Sequence, residues 1–252
     1  MYSVKETQYR ALESIEESVL LKVFKTLRSC PRYLIYLETG LIPARHQVNR
    51  QILNFLHYIL QQPRNSILYR IFETMLQNPT KGDWASAATN LVMKYDLKLN
   101  IEEIQTMKSS IFKNLVKTQI RKVAFKDLVD QQQGKEKGNL IRYDSLQMAD
   151  YLLPESNLNT TDKLEMFALR AEMNPNPYNF GLKIFCELGC KQFQNNKHLF
   201  NCLKVNKKEN NLLFEHILNG SLKEKINVLR KFQENMNKRR QLRDSVKAVN
   251  PL

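Results

Sequence analysis

Glycine and proline are scarce in this chain, with seven and eight in 252 residues. That excludes an architecture of many short strands joined by tight turns. The few glycines are scattered, so no glycine-rich loop is available to cradle a phosphate. No apolar run approaches the roughly 18 residues needed to cross a bilayer. Cysteine is also rare, four in all, too few for a disulfide scaffold in a chain of this length. Carboxylates are outnumbered, 25 acidic residues against 39 basic ones.

What is present follows from the last of these. The formal net charge is +14 and the pI about 9.6, which favours a polyanionic partner, nucleic acid (RNA or DNA) or an anionic membrane surface. The charge is unevenly spread. Between Lys108 and Lys126 there are six basic residues and no acidic one, and between Lys204 and Lys247 twelve basic against five acidic. The candidate nucleic-acid contacts are therefore Lys113, Lys117, Arg121 and Lys122 in the first run, with Lys238, Arg239, Arg240 and Arg243 in the second. A lysine stripe is also what an ordinary solvated helix face carries. Hydrophobic residues make up 42% of the chain, enough for a sizeable core.

Three of the four cysteines fall close together with a histidine among them, at Cys186, Cys190, His198 and Cys202. Thiolates plus an imidazole are the donor set of a tetrahedral zinc ion, and His198 and Cys202 are spaced to share one helix face. The same thiols also fit a simpler role as small buried apolar side chains. The polar start, Met1-Tyr-Ser-Val-Lys-Glu, does not read as a signal peptide. The expectation is an intracellular protein of nucleus or cytoplasm, with reduced cysteines and no membrane or small-molecule partner.

Periodicity predicts a mostly α fold. Residues 8–28 carry an apolar stripe of Leu12, Ile15, Val19, Leu20, Val23, Phe24 and Leu27, and Pro31 breaks it. Helices are predicted over 45–62, 68–76 and from Trp84 onward, the last capped by Asp83. Asn100-Ile-Glu-Glu103 reads as a capping pattern. The clearest amphipathic helix runs from Ile111 to Leu128, with Phe112, Leu115, Val116, Ile120, Val123 and Ala124 as its apolar face. Lys113, Lys117 and Arg121 recur every fourth residue, on a face expected to lie opposite Phe112, Val116 and Ile120. Shorter helices are predicted over 143–153 and 162–172. Ser221-Leu-Lys-Glu224 is a capping box opening a basic helix through Arg243. The expected domains are a helical body over 1–175, a knuckle-like segment over 176–206 and a basic tail over 207–252.

Several phrases resemble the polyproteins of non-LTR (LINE-like) retrotransposons. They are Pro31-Arg-Tyr-Leu-Ile-Tyr-Leu-Glu-Thr-Gly40-Leu-Ile-Pro-Ala-Arg45, Asn54-Phe-Leu-His57-Tyr-Ile-Leu60, Asn78-Pro-Thr-Lys-Gly-Asp-Trp84, Phe112-Lys-Asn-Leu-Val-Lys117, Gln147-Met-Ala-Asp-Tyr-Leu152, Leu169-Arg-Ala-Glu-Met173 and Asn179-Phe180. Their order and spacing cover the chain from about residue 12 to 245. In that family the matching region follows the reverse-transcriptase palm and thumb. It is a helical extension ending in a Cys-Cys-His-Cys knuckle. The resemblance implies that Cys186, Cys190, His198 and Cys202 are knuckle ligands for zinc and that the chain contacts element RNA or target DNA. Three residues separate Cys186 from Cys190 here, where the family more often has two.

Neither catalytic core of such an element is expected. Nucleotide polymerisation needs closely placed carboxylates to hold two metal ions, and this chain has no adjacent aspartates. Beyond Cys202 the only aspartate is Asp244, too little for a nuclease cluster. His46, His57 and His216 have no nucleophile at a suggestive spacing, and Cys30 before Pro31 reads as a helix-end residue. The chain is expected to be no enzyme. It reads as a nucleic-acid-binding fragment of an element polyprotein, with a helical protein-interaction module as the alternative.

Overall fold

The structure is a computed structural model, which describes residues 4–24, 30–80, 82–133, 141–171 and 216–249, with side chains as far as 241 in the last stretch. Within them the protein is mostly α-helical. The helices are α1 (Glu6–Val23), α2 (Arg32–Thr39), α3 (Ala44–Leu60), α4 (Ile67–Gln77), α5 (Trp84–Lys94), α6 (Ile101–Thr106), α7 (Ser109–Gln132), α8 (Thr160–Arg170) and α9 (Leu222–Val249). Strand-type pairing among the described residues is limited to isolated bridges such as Thr39 with Met148. The chain divides into two compact units, Met1–Val19 with Gly40–Asp130 and Leu20–Thr39 with Gln131–Leu252. The expected boundaries at 175/176 and 206/207 fall outside the described residues.

In the first unit the helix starts follow local chemistry. Ser66 accepts from the Tyr69 amide to cap α4, and Asp83 accepts from the Ser86 amide at 2.6 Å to cap α5. Asn100 and Glu103 form the expected reciprocal box on α6, at 2.8 and 2.7 Å. Each such cap satisfies an amide that the helix itself leaves without a partner. The core packs Leu53, Leu56, Leu60, Trp84, Ala88 and Tyr95 against α7, whose buried ridge is Phe112, Val116 and Ile120, continued by Ala124 and Leu128. Burying one such large side chain stabilises by about 1.5–3 kcal/mol.

α1 departs from expectation. Most of its apolar stripe is exposed, at Leu12, Ile15, Val19 and Val23, while Leu20 is buried and Phe24, just past the helix, is half-buried against Phe167. The polar side does the docking within the first unit. Arg45 at the start of α3 bonds Glu13 at 2.7 Å and Glu6 at 2.8 Å, and stands over the Tyr9 ring. Glu16 accepts from the Ala44 amide at 2.7 Å. Pro43, at the cap position of α3, makes no side-chain cap, so Glu16 supplies the missing acceptor from another helix. These long-range polar contacts outweigh the local amphipathic pattern.

In the second unit, α2 is a helix that periodicity does not announce, because it has no polar face. Tyr33 through Thr39 are all buried, and a continuous apolar run does not reveal its secondary structure by pattern. α2 ends at Gly40, whose φ of 66° is the left-handed C-terminal geometry that glycine adopts without strain. Glu38, 1% exposed, is the centre of a closed polar network. Arg170 pairs with both of its carboxylate oxygens at 2.8 to 3.1 Å. Tyr143 and Tyr151 donate to the same carboxylate at 2.5 and 2.7 Å. The other arm of Arg170 donates to the carbonyls of Ile217 and Leu218.

This network corrects the predicted helix over 143–153. The stretch forms only one short 3-10 turn, Asp150–Leu152, and a second, Pro154–Ser156, follows it. Both tyrosine hydroxyls must reach Glu38, and the Ala149 amide donates to the Glu38 carbonyl at 2.7 Å. A continuous α-helix would commit that amide elsewhere and turn the two rings apart. The expected helix over 162–172 is α8, capped by Asn159 on the Asp162 amide at 2.9 Å. α9 opens with the expected box, Ser221 and Glu224, and buries Val228, Leu229 and Phe232. Lys225, on the same side of α9, is buried and paired with Asp150 at 2.9 Å.

Glu38→Gln removes the charge that neutralises a buried guanidinium. It should destabilise the protein by about 3–5 kcal/mol, the cost of stranding one member of a buried pair. Tyr143→Phe, which removes one of four donors, should cost about 1 kcal/mol. Urea denaturation of the two variants measures both, and a Glu38→Gln loss no larger than that of Tyr143→Phe would contradict this account.

Candidate nucleic-acid interface

The candidate contacts on α7 are set by the four-residue drift of an α-helix, about 40° per step. The ridge Phe112, Val116, Ile120, Ala124 and Leu128 is buried. Lys113, Lys117 and Arg121 lie one residue further on, about 100° round the helix, so they flank the buried ridge and do not oppose it. Lys113 and Lys117 are exposed, whereas Arg121 is half-buried and donates to the Gly40 carbonyl at 3.2 Å. The fully exposed ridge is Asn114, Thr118, Lys122, Lys126 and Asp130. Lys122 thus lies on the exposed ridge. Lys126 and Lys108, both exposed, belong with it. They were legible in sequence as members of the basic run, but the every-fourth-residue pattern from Lys113 points to a different ridge.

On α9 the basic triplet does not act as one face. Lys238 and Arg240 are exposed, but Arg239 is buried, 7% exposed. It continues the inward seam of Val228, Phe232 and Asn235, which a run of three adjacent cations conceals because neighbours on a helix point about 100° apart. The Arg243 side chain lies outside the described residues, as do Cys186, Cys190, His198 and Cys202. Among the described residues no group of three or more His, Cys, Asp or Glu side chains is arranged to hold a metal. Cys30 is buried. No helix among them is long and apolar enough to cross a membrane.

The two buried histidines, His46 and His57, are structural. His57 is buried, donates to the Met107 carbonyl at 3.0 Å and stacks on Phe112 at 4.6 Å between centroids. His46 is the end of a directed chain. Tyr9 donates to Asn49 at 2.6 Å, and Asn49 to the Tyr95 hydroxyl at 2.8 Å. Tyr95 then gives its proton to His46 Nδ1 at 3.0 Å. That assignment leaves the imidazole proton on Nε2, facing Asp127 at 3.5 Å. Burial pushes the Tyr95 phenol up to about 12. It holds the His46 imidazole down at about 4, against the opposing pull of Asp127. Tyr95 has no exposure and His46 only 4%, so these two members of the chain are held inside the first unit.

Compared with models of known protein families, with curated proteins and with solved structures, the chain matches none.

His46 makes stability depend on acidity. Its folded pKa lies below the ordinary 6.5, so the unfolded chain binds a proton that the folded one refuses. The contribution is complete above the unfolded value and is lost as pH falls toward 4. At about 1.4 kcal/mol per pH unit, the loss reaches about 3 kcal/mol. Denaturation midpoints between pH 7 and 4.5 should fall accordingly, and His46→Gln should remove most of that slope. An unchanged slope in the variant would assign the acid sensitivity elsewhere.

Proposed function

We propose that the protein binds nucleic acid through phosphate contacts made by the exposed lysines of α7, as part of the post-polymerase region of a LINE-like element polyprotein. One observation carries the binding. Lys108, Lys113, Lys117, Lys122 and Lys126 are all exposed, and no carboxylate occurs between Glu103 and Asp127. No ion pair neutralises any of the five among the described residues. Surface cations without local counter-charge are the footprint of a polyanion partner. Phosphate contacts of this kind position a strand without reading its sequence, so the proposed binding is sequence-tolerant. The chain phrases from Pro31 to Phe180 support the element origin. They also support Cys186, Cys190, His198 and Cys202 as a zinc-binding quartet, whose donor set of three thiolates and an imidazole suits that ion.

A second reading has its own observation. Leu12, Ile15, Val19 and Val23 of α1 are 42, 64, 53 and 60% exposed, an apolar seam suited to a helix of another protein. In that reading the chain is a protein-interaction module, and nucleic-acid binding is absent.

Salt separates the two. Affinity for RNA or DNA should fall with salt at a slope of about −0.9 per phosphate contacted on duplex, or about −0.7 on single strands. Replacing Lys113, Lys117 and Lys122 together by Gln should weaken binding to all sequences alike and flatten that slope by up to about two to three units. Arg121 is left in place because it holds the Gly40 carbonyl. A wild-type chain with no affinity for nucleic acid at low salt would favour the interaction module.

The quartet predicts one zinc per chain, released by chelation, with Cys190→Ser binding far less. Because α1 to α9 carry an apolar core of their own, the helical circular-dichroism signal should persist after chelation. Purified protein that neither contains nor takes up zinc would overturn the assignment.

A further inference from the structure

α3 presents a surface that the lysines do not explain. Its exposed positions from Gln47 onward are Gln47, Gln51, Phe55 and Tyr58, followed by Gln61 beyond its end. These are amides and rings, and no carboxylate occurs between Glu38 and Glu73. The two rings are ordered. Tyr58 is 51% exposed and lies nearly parallel to Phe55, 14° apart with centroids at 6.0 Å. Phe55 is braced edge-on by Trp84 at 5.3 Å, and Trp84 in turn by Phe72 at 6.2 Å. Trp84 belongs to the core, so the pair is anchored through a chain of perpendicular contacts. Among the described residues nothing bonds the Tyr58 hydroxyl.

Resting on the nucleic-acid reading above, we propose that Tyr58, backed by Phe55, is the stacking platform for an unpaired base of a single-stranded RNA or DNA whose phosphates lie along Lys108, Lys113 and Lys117. The juxtaposition follows from His57, the residue before Tyr58. It donates to the carbonyl of Met107 and stacks on Phe112. Those two residues immediately precede Lys108 and Lys113. His46 near the start of α3 faces Asp127 near the end of α7, so the two helices run antiparallel. On antiparallel helices the residues one step past a facing pair, here Tyr58 and Lys113, turn to the same side, with rings on the C-terminal half of α3 and cations on the start of α7. Both segments are free of carboxylates, so nothing on either repels a phosphate. A base needs a flat π-face at a fixed orientation, and it needs its own face free. A duplex hides its base faces in the stack, so the platform selects single strands, whereas the lysines bind either form. Bracing by Trp84 means that binding does not have to order the ring, which favours affinity.

The stacking contribution and the charge contribution leave different signatures. Full-length protein is titrated with labelled oligo-U, oligo-dT, an abasic deoxyribose strand of the same length and a duplex, across a range of salt. Tyr58→Ala should weaken oligo-U and oligo-dT binding by about fivefold to a hundredfold, the worth of one base–aromatic stack. The salt slope should stay the same, because no phosphate contact is removed. Duplex and abasic affinities should not change, and wild-type protein should bind the abasic strand as weakly as Tyr58→Ala binds oligo-dT. Tyr58→Phe, which keeps the ring, should behave as wild type. A difference between oligo-U and oligo-dT would report the sugar that the site prefers. If the protein binds these strands and Tyr58→Ala leaves oligo-U and oligo-dT unaffected, or weakens duplex equally, the platform is overturned and the lysine surface stands. If wild-type protein binds none of the four at low salt, both fall.

Discussion

The buried pair of Glu38 and Arg170 is the interaction on which the second unit depends. An ion pair taken out of water is expensive unless every lone pair and proton finds a partner. Here four donors converge on one carboxylate, and the remaining arm of the guanidinium caps two backbone carbonyls. Burial alone would depress the charge on Arg170; the Glu38 carboxylate outweighs that effect and holds the guanidinium charged. In consequence α2, the stretch around Tyr143 and Tyr151, α8 and the helical residues 216–219 are tied to a single point. Apolar contacts would allow these elements some latitude, whereas a network whose members have fixed directions does not.

The first unit is held differently and offers a different chemistry. Its core is apolar, its buried histidines are locked by hydrogen bonds, and its helices display cations on α7 and uncharged rings and amides on α3. Phosphate recognition and base recognition are physically separable tasks, one long-ranged and screened by salt, the other short-ranged and indifferent to it. In the proposed binding the two tasks fall on α7 and α3, so each can be altered without disturbing the other, since neither set of side chains belongs to the core.

What was legible in the sequence was what is local. The caps at Asp83, Asn100 and Ser221 depend on residues three positions away, and each forms as read. The buried ridge of α7 follows from its period. The exceptions are all decided by distant partners. Leu12, Ile15 and Val19 of the α1 stripe face solvent because Arg45 and the Ala44 amide claim the acidic side of the helix, 28 to 39 residues away. The stretch 143–153 is not a helix because Glu38, more than a hundred residues earlier, claims its tyrosines. Arg239 sits in a run of cations and points inward because the seam of α9 passes through it. Of the candidate interface, the lysines were legible from charge alone. Tyr58 was not, since a tyrosine at helical spacing gives no sign of which way it faces.

The distance between Glu38 and its partner also fixes an order of events during synthesis. The two residues are 132 positions apart. At a ribosomal rate of about 5–20 residues per second, Arg170 is made roughly 7 to 26 s after Glu38. Throughout that interval the carboxylate has no guanidinium to meet, and α2 cannot bury its apolar sides without stranding a charge. The segment Gly40–Asp130 of the first unit is completed inside the same interval, with its own caps and core in place. The nascent protein therefore has the means to assemble the lysine surface of α7 before the second unit closes, and a chain stopped short of Arg170 would leave Glu38 without its counter-charge.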